Sequence, residues 1–499
     1  MTASPFVSDD SVMRNIATGV PGLDAVLGGG LCEYAFNLVA GAPGSGKTTL
    51  VQQILFANAT RERPALYFTV LGEPTVKMLR YQRQFEFFNA ALVPAAVRFV
   101  NLAAEASSGD LEVVLQRVIA EVAATQPAFV AVDSFRTIVG GGRAAESPES
   151  LDMAHFVNRL AQQLTTWEVT SFLIGEYSDT EQRQPVFTIA DTILWLSEDV
   201  DRNSATRKLR VVKVRGRNPM PGLHTFRLNA SGVQVFPRIP EQVRPRRQQP
   251  VARLGTGVPG LDAMTGGGIP AGDVVLLTGP AGSGKTTFAT HFVAQGLVDG
   301  EACVVAVFEE YPDAYLTRAK VVSTGLDHMI DVGRLIVTYL RPLDLSVDEM
   351  LAEIERAVQR IGASRVVIDS LSGFEVALAP SYRADFRESL YRLVGALTVS
   401  GVTVLMTDEV VDATPGGRFT HERVSFITDD ILVQRYVEID GALQKVLSVV
   451  KMRGSEHATD FRTYRLTATG AVIGASLADY HGITTGVPTL AAPARVPSV

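Results

Sequence analysis

Short, unbroken apolar runs alternate with amphipathic stretches along most of the chain. In the carboxyl-terminal half the runs are Val274–Gly279 (VVLLTG), Val304–Glu310 (VVAVFEE), Arg365–Ser370 (RVVIDS) and Val402–Glu409 (VTVLMTDE). The amino-terminal half offers LVA before Gly41, YFTVLGE ending at Gly72-Glu73, and FVAVDS ending at Asp133-Ser134. A strand without polar alternation is buried on both faces, as in a parallel sheet covered by helices on each side. Strands alternating with helical segments predict an α/β fold.

The pattern occurs twice. TGVPGLD stands at Thr18–Asp24 and at Thr256–Asp262, a spacing of 238 residues. GGG (Gly28–Gly30, Gly266–Gly268), GSGKTT (Gly44–Thr49, Gly282–Thr287), VVK[VM]RG (Val211–Gly216, Val449–Gly454) and T[FY]RLxAxG (Thr225–Gly232, Thr463–Gly470) keep the same spacing. One register held this far implies a tandem duplication. Its period is far longer than a solenoid repeat, so each copy should have its own core. The boundaries expected are a first domain over 12–237, a linker over 238–253, a second domain over 254–477 and a tail over 478–499. The linker, RIPEQVRPRRQQPVAR, is rich in Pro, Arg and Gln. The tail is expected to be poorly ordered or to lie along the surface.

Composition narrows the function classes. The chain has 499 residues, 46% hydrophobic and 20% charged, enough for full cores without a disulfide or metal staple. Its two cysteines, Cys32 and Cys303, read as small buried apolar side chains. Its seven histidines show no metal-ligand spacing. A net charge of −7 argues against a nucleic-acid-binding role. MTASPFVSDD has no basic n-region, and no stretch of about 18 apolar residues occurs. The expectation is a soluble, cytoplasmic protein without membrane contact.

The chemistry is carried by glycine-rich loops. Gly41–Thr48 (GAPGSGKT) and Gly279–Thr286 (GPAGSGKT) fit GxxxxGK[ST]. Each follows an apolar strand and opens a helical stretch. In such a loop the backbone N–H groups of Gly44, Ser45, Gly46 and Thr49, and of Gly282, Ser283, Gly284 and Thr287, line a phosphate cradle. Lys47 and Lys285 reach the β- and γ-phosphates, and Thr48 and Thr286 offer hydroxyls to Mg²⁺. Asp133 and Asp369 end apolar strands 86 and 84 residues after the loop lysines, as expected of a second group holding the metal. Glu309 and Glu310 are candidates for the base that orients the nucleophile, with Glu73 as the candidate in the first domain. ATP and Mg²⁺ are the cofactors expected. The second domain shows the fuller set, because Gly72 leaves one carboxylate missing from the first.

With these tandem loops, the TGVPGLD…GGG preamble, FEE, and Ile427–His457 (ITDDILVQRYVEIDGALQKVLSVVKMRGSEH), the chain resembles the KaiC family, the tandem RecA-type ATPases of the circadian clock and their relatives. The resemblance covers about residues 12 to 475. It implies two RecA-like P-loop domains, each a mostly parallel sheet flanked by helices. It also implies a homohexameric double ring with ATP between neighbouring subunits. Lys213 and Arg215, and Lys451 and Arg453, would then act on the ATP of the next subunit. The family is an autophosphorylating serine/threonine kinase. Ser425 falls at its acceptor serine, whereas Phe426 replaces its acceptor threonine; Thr420 and Thr428 are weaker acceptors. The short Ala/Pro-rich tail departs from the clock proteins; the role implied is a signalling or clock-related switch acting through an unidentified protein partner. Two other readings stand beside an ATPase and autokinase. One is an ATP-gated hexameric scaffold. The other is a DNA recombinase or helicase, against which stand loops with few basic residues (Arg136 and Arg143).

Overall fold

A computed structural model describes residues 14–70, 75–107, 110–134, 148–177, 185–201, 204–238, 251–340, 345–378, 386–410, 427–485 and 488–490. The chain divides into two compact units between Arg238 and Ile239. Each unit is built on one nine-stranded sheet.

In the first unit six parallel strands lie in the order Thr192–Asp201, Phe36–Gly41, Thr170–Glu176, Phe129–Asp133, Ala65–Thr69, Val97–Asn101. Three antiparallel strands, Ser204–Val214, His224–Asn229 and Gly232–Phe236, extend the sheet beyond Thr192–Asp201. The second unit repeats this plan. Its parallel strands are Leu335–Tyr339, Cys303–Val307, Arg365–Asp369, Thr403–Glu409, Val274–Gly279 and Asp430–Ile439. The antiparallel extension is Ala442–Met452, Arg462–Thr467 and Gly470–Ser476.

The apolar runs become the central strands for the reason their pattern implied. Phe36–Gly41 and Val274–Gly279 are buried at every position. Alternate residues of Val274–Gly279 feed different cores: Val274 and Leu276 pack with Leu393 and Phe374, while Val275 and Leu277 pack with Phe292 and Val293. Truncating a fully buried leucine such as Leu276 to alanine would cost about 2–5 kcal/mol. The TGVPGLD motif folds into a local clasp. Asp24 accepts the Thr18 N–H at 2.9 Å, and Asp262 accepts that of Thr256 at the same distance. The Pro21 and Pro259 carbonyls then accept the N–H of Val235 and Ile473 on the last strand of each sheet. This motif serves the fold.

Cys32 and Cys303 are buried, and burial pushes the Cys303 thiol up to about 12. Of the tail, Ile483 and Thr484 pack on the second unit. Leu477 and Ile483 join Val437, Ile439 and Val446 of the Asp430–Met452 hairpin, and Arg435 donates to the Thr484 carbonyl at 3.1 Å. Among the described residues no helix is long and apolar enough to cross a membrane.

Candidate functional site

Each P-loop joins the end of a fully buried strand to the first turn of a helix, Lys47–Asn58 or Lys285–Val298. Gly46 and Gly284, at φ 96° and 103°, bring the chain into those helices in the left-handed region. The loop lysines are folded over their own loops. Lys47 Nζ donates to Gly41 O at 3.0 Å and Ala42 O at 2.7 Å; Lys285 Nζ donates to Gly279 O and Pro280 O, both at 2.9 Å. Burial lowers the pKa of both ammonium groups, and nearby carboxylates oppose this. A cation partly stripped of water beside a ring of N–H donors is suited to bind polyphosphate.

In the first unit a cleft of ≈ 350 Å³ is lined by Gly44, Gly46, Lys47, Thr48, Asp133 and Glu176, among others. The Thr48 hydroxyl donates to Asp133 Oδ2 at 2.7 Å, and the Tyr67 hydroxyl donates to the same oxygen at 2.5 Å. Burial raises the Asp133 pKa, while the two hydroxyls and Lys47 pull it down. A hydroxyl and a carboxylate side by side beneath the loop lysine fit a phosphate-bound Mg²⁺, which takes few protein ligands. In the second unit Asp369 holds the same strand-end position, but its partner is the Thr407 hydroxyl of the neighbouring strand. Among the described residues no group of three or more His, Cys, Asp or Glu could hold a metal ion.

Glu309 and Glu310 lie beyond their strand rather than on it, because the ladder ends at Val307 and Phe308 turns into the core against Phe374. They diverge from there. Glu309 Oε1 accepts the Ser370 hydroxyl at 2.8 Å, next to Asp369, whereas Glu310 pairs with Arg318 on the following helix. Burial raises the Glu310 pKa against the pull of Arg318. Glu309 is also within electrostatic reach of Lys285. In the two sheets Thr69 is opposite Asp133 and Val307 is opposite Asp369. At the repeat spacing of 238 residues, Glu309 and Glu310 align in sequence with Leu71 and Gly72, and Tyr311 with Glu73. Glu73, Gly72, Thr420, Ser425, Phe426, Arg136 and Arg143 lie outside the described residues.

The K[VM]RG strands end far from their own P-loops. Lys213 Nζ donates to Thr188 O and Arg215 pairs with Asp191 at 3.2 Å; Lys451 donates to Thr428 O and Arg453 pairs with Asp429 at 3.4 Å. The same carboxylates accept the N–H of Phe36 and Val274, the first residues of the P-loop strands. The length of a six-residue strand, roughly 17 Å, therefore separates each arginine from the loop of its own unit.

Two carboxylates escaped the sequence reading. Glu176 and Glu409 end the strands beside each P-loop strand, in register with Gly41 and Gly279, and act electrostatically on Lys47 and Lys285. Their signal was present: FLIGE and VLMTDE both end apolar runs in Glu.

The KaiC ATPase family model matches residues 16–239 and again 254–478. The "Circadian clock oscillator protein KaiC" of Parathermosynechococcus lividus is 27% identical over 492 residues, covering 97% of this chain and 90% of that protein. "Circadian clock oscillator protein KaiC 1" of Synechocystis sp. is 27% identical over 486 residues (96% and 92%). "Circadian clock protein KaiC3" of the same organism is 26% identical over 502 residues (97% and 96%). Two P-loop sheets of one plan and a family match spanning both place the chain among the nucleotide-binding KaiC ATPases.

Proposed function

We propose that this protein is a Mg²⁺-dependent ATPase and serine autokinase that works as a homohexameric double ring. Its second domain is the catalytic one, and its first domain is chiefly an ATP-binding site. The observation that carries the division is Glu309, held by Ser370 beside Asp369 and Lys285. At the repeat spacing its counterpart in the first domain's sequence is a leucine, Leu71.

The kinase reaction is an in-line transfer of the γ-phosphoryl group. The Ser425 Oγ forms a bond to the γ-phosphorus as the bond to the β,γ-bridging oxygen breaks. The hydroxyl proton passes to Glu309, and ADP leaves. In hydrolysis, water takes the place of Ser425. Thr286 and Asp369 would hold Mg²⁺, which neutralises charge on the phosphates. Support for the ring comes from Arg215 and Arg453, which can serve a phosphate only across a subunit boundary when they stand a strand's length from their own loops.

The test is intact mass after incubation with Mg-ATP, for wild type and Ser425→Ala, with light scattering for ring size. A gain of one phosphate in wild type alone is expected. No gain in either would sink the kinase reading. Phe426, which has no hydroxyl to phosphorylate, favours a second reading in that event: an ATP-gated hexameric scaffold that signals through a protein partner.

A further inference from the structure

Three side chains of the second unit's outer strands grip three successive carbonyls of its P-loop. The Tyr436 hydroxyl donates to Ala281 O at 3.3 Å, Lys445 Nζ to Gly282 O at 2.9 Å, and the Tyr464 hydroxyl to Ser283 O at 2.6 Å. Tyr436 and Lys445 are direct cross-strand partners, with the ammonium 5.8 Å from the ring centroid. Tyr464 is buried, and its ring meets Phe288 of the P-loop helix edge-on at 5.3 Å.

In a trans peptide the C=O of one residue and the N–H of the next point in opposite directions. Drawing the carbonyls of 281, 282 and 283 outward onto the strands turns the N–H groups of Gly282, Ser283 and Gly284 toward the concave side, where phosphate oxygens are bound. The Ser283 N–H closes the loop's own turn on Pro280 O at 3.3 Å, so the donors left facing the concave side are chiefly those of Gly282 and Gly284.

The first unit has different chemistry at the same places. The residues 238 positions earlier are Glu198, Arg207 and Phe226. Glu198 and Arg207 occupy the same cross-strand register and pair with each other at 3.3 Å; Phe226 has no hydroxyl.

We propose that Tyr436, Lys445 and Tyr464 are positioning residues that pre-form the anion cradle of the second domain, so that this domain takes the diphosphate of ADP or ATP more tightly than the first. The proposal rests on the nucleotide-binding reading of the loops. A loop already held in its bound form loses less freedom on binding, and affinity rises accordingly.

The test is calorimetric titration of the full-length protein with ADP, with ATPase kinetics alongside. Tyr464→Phe removes one hydroxyl and keeps the ring; it should weaken the tighter site about fivefold. Tyr436→Phe with Lys445→Met should weaken it about tenfold. In both, KM rises while kcat stays within about twofold, as expected of lost uniform binding. The triple change Glu198→Tyr, Arg207→Lys, Phe226→Tyr should tighten the weaker site. Lys285→Ala separates nucleotide binding by the loop from its support by the strands. If it leaves both ADP sites intact, the nucleotide reading of the second loop fails. If it removes the tighter site while the Tyr464 and Tyr436/Lys445 variants bind ADP as wild type does, the positioning role is overturned. Should those variants melt earlier without nucleotide, the triple change decides: an unchanged first site overturns the proposal.

Discussion

The Ser370 hydroxyl bridges two elements: it donates to Glu309 at 2.8 Å and accepts the N–H of Gly373, capping the helix Leu371–Ala377. The residue after the strand-end Asp thus fixes the carboxylate proposed as base. Glu309→Gln keeps the shape and removes the basicity. ATP turnover should fall about 10²- to 10⁴-fold with ADP affinity unchanged. Unaltered turnover in a steady-state assay would remove Glu309 from the mechanism.

Gly373 leaves room first for Phe308 and then for Glu309. A Cβ there would lie 2.7 Å from Phe308 Cβ and 3.2 Å from Glu309 Cγ. Gly373→Ala should push the carboxylate aside and lower kcat about tenfold, with little change in nucleotide affinity. If kcat and affinity fall together, the crowding acts on the whole site.

Arg453 exposes 72% of its side chain and contributes little to stability through its 3.4 Å pair with Asp429. Arg453→Ala should leave the melting temperature unmoved and cut turnover about 10³-fold. Mixing Arg453→Ala subunits with Lys285→Ala subunits should restore part of the activity, since some interfaces then combine an intact loop with an intact arginine. Mixed preparations as inactive as their parents would contradict action across subunits.

His291, on the P-loop helix, accepts the Ala471 N–H at Nε2 (2.9 Å), and Gly470 lets the ring come this close. Gln53 does the same work in the first unit, accepting the Val233 N–H at 2.7 Å beside Gly232. Burial lowers the His291 pKa from 6.5, so the unfolded chain takes up the proton first as pH falls. Its contribution is therefore complete above that value and is lost as pH drops through 6.5 toward the lower folded pKa. His291→Gln should flatten this part of the stability–pH curve in denaturant titrations between about pH 7 and 5. An identical curve would show that His291 does not titrate on unfolding.

The two P-loops, their parallel strands and the strand-end aspartates were legible because each is a local pattern: a buried run, then glycines, then Lys-Thr. The duplication made each copy a check on the other. The exit of Glu309 from its strand was not legible, since Phe308 leaves the ladder to pack in a core with Phe374, many residues away. Glu176 and Glu409 were visible as strand ends, but their bearing on the loop lysines depends on strand order. Tyr436, Lys445 and Tyr464 meet loop carbonyls 155, 163 and 181 residues distant, contacts set by hairpin register alone.

The apolar patch that Leu477 and Ile483 cover belongs to the hairpin bearing Tyr436 and Lys445. The chain is thus tied to this hairpin as far as Thr484, whose carbonyl Arg435 holds. A protein cut at residue 476 would leave Val437, Ile439 and Val446 wet on one side of a ribbon whose other task is to steady the phosphate loop. Trimming so remote from the nucleotide would be felt as a softer grip on it.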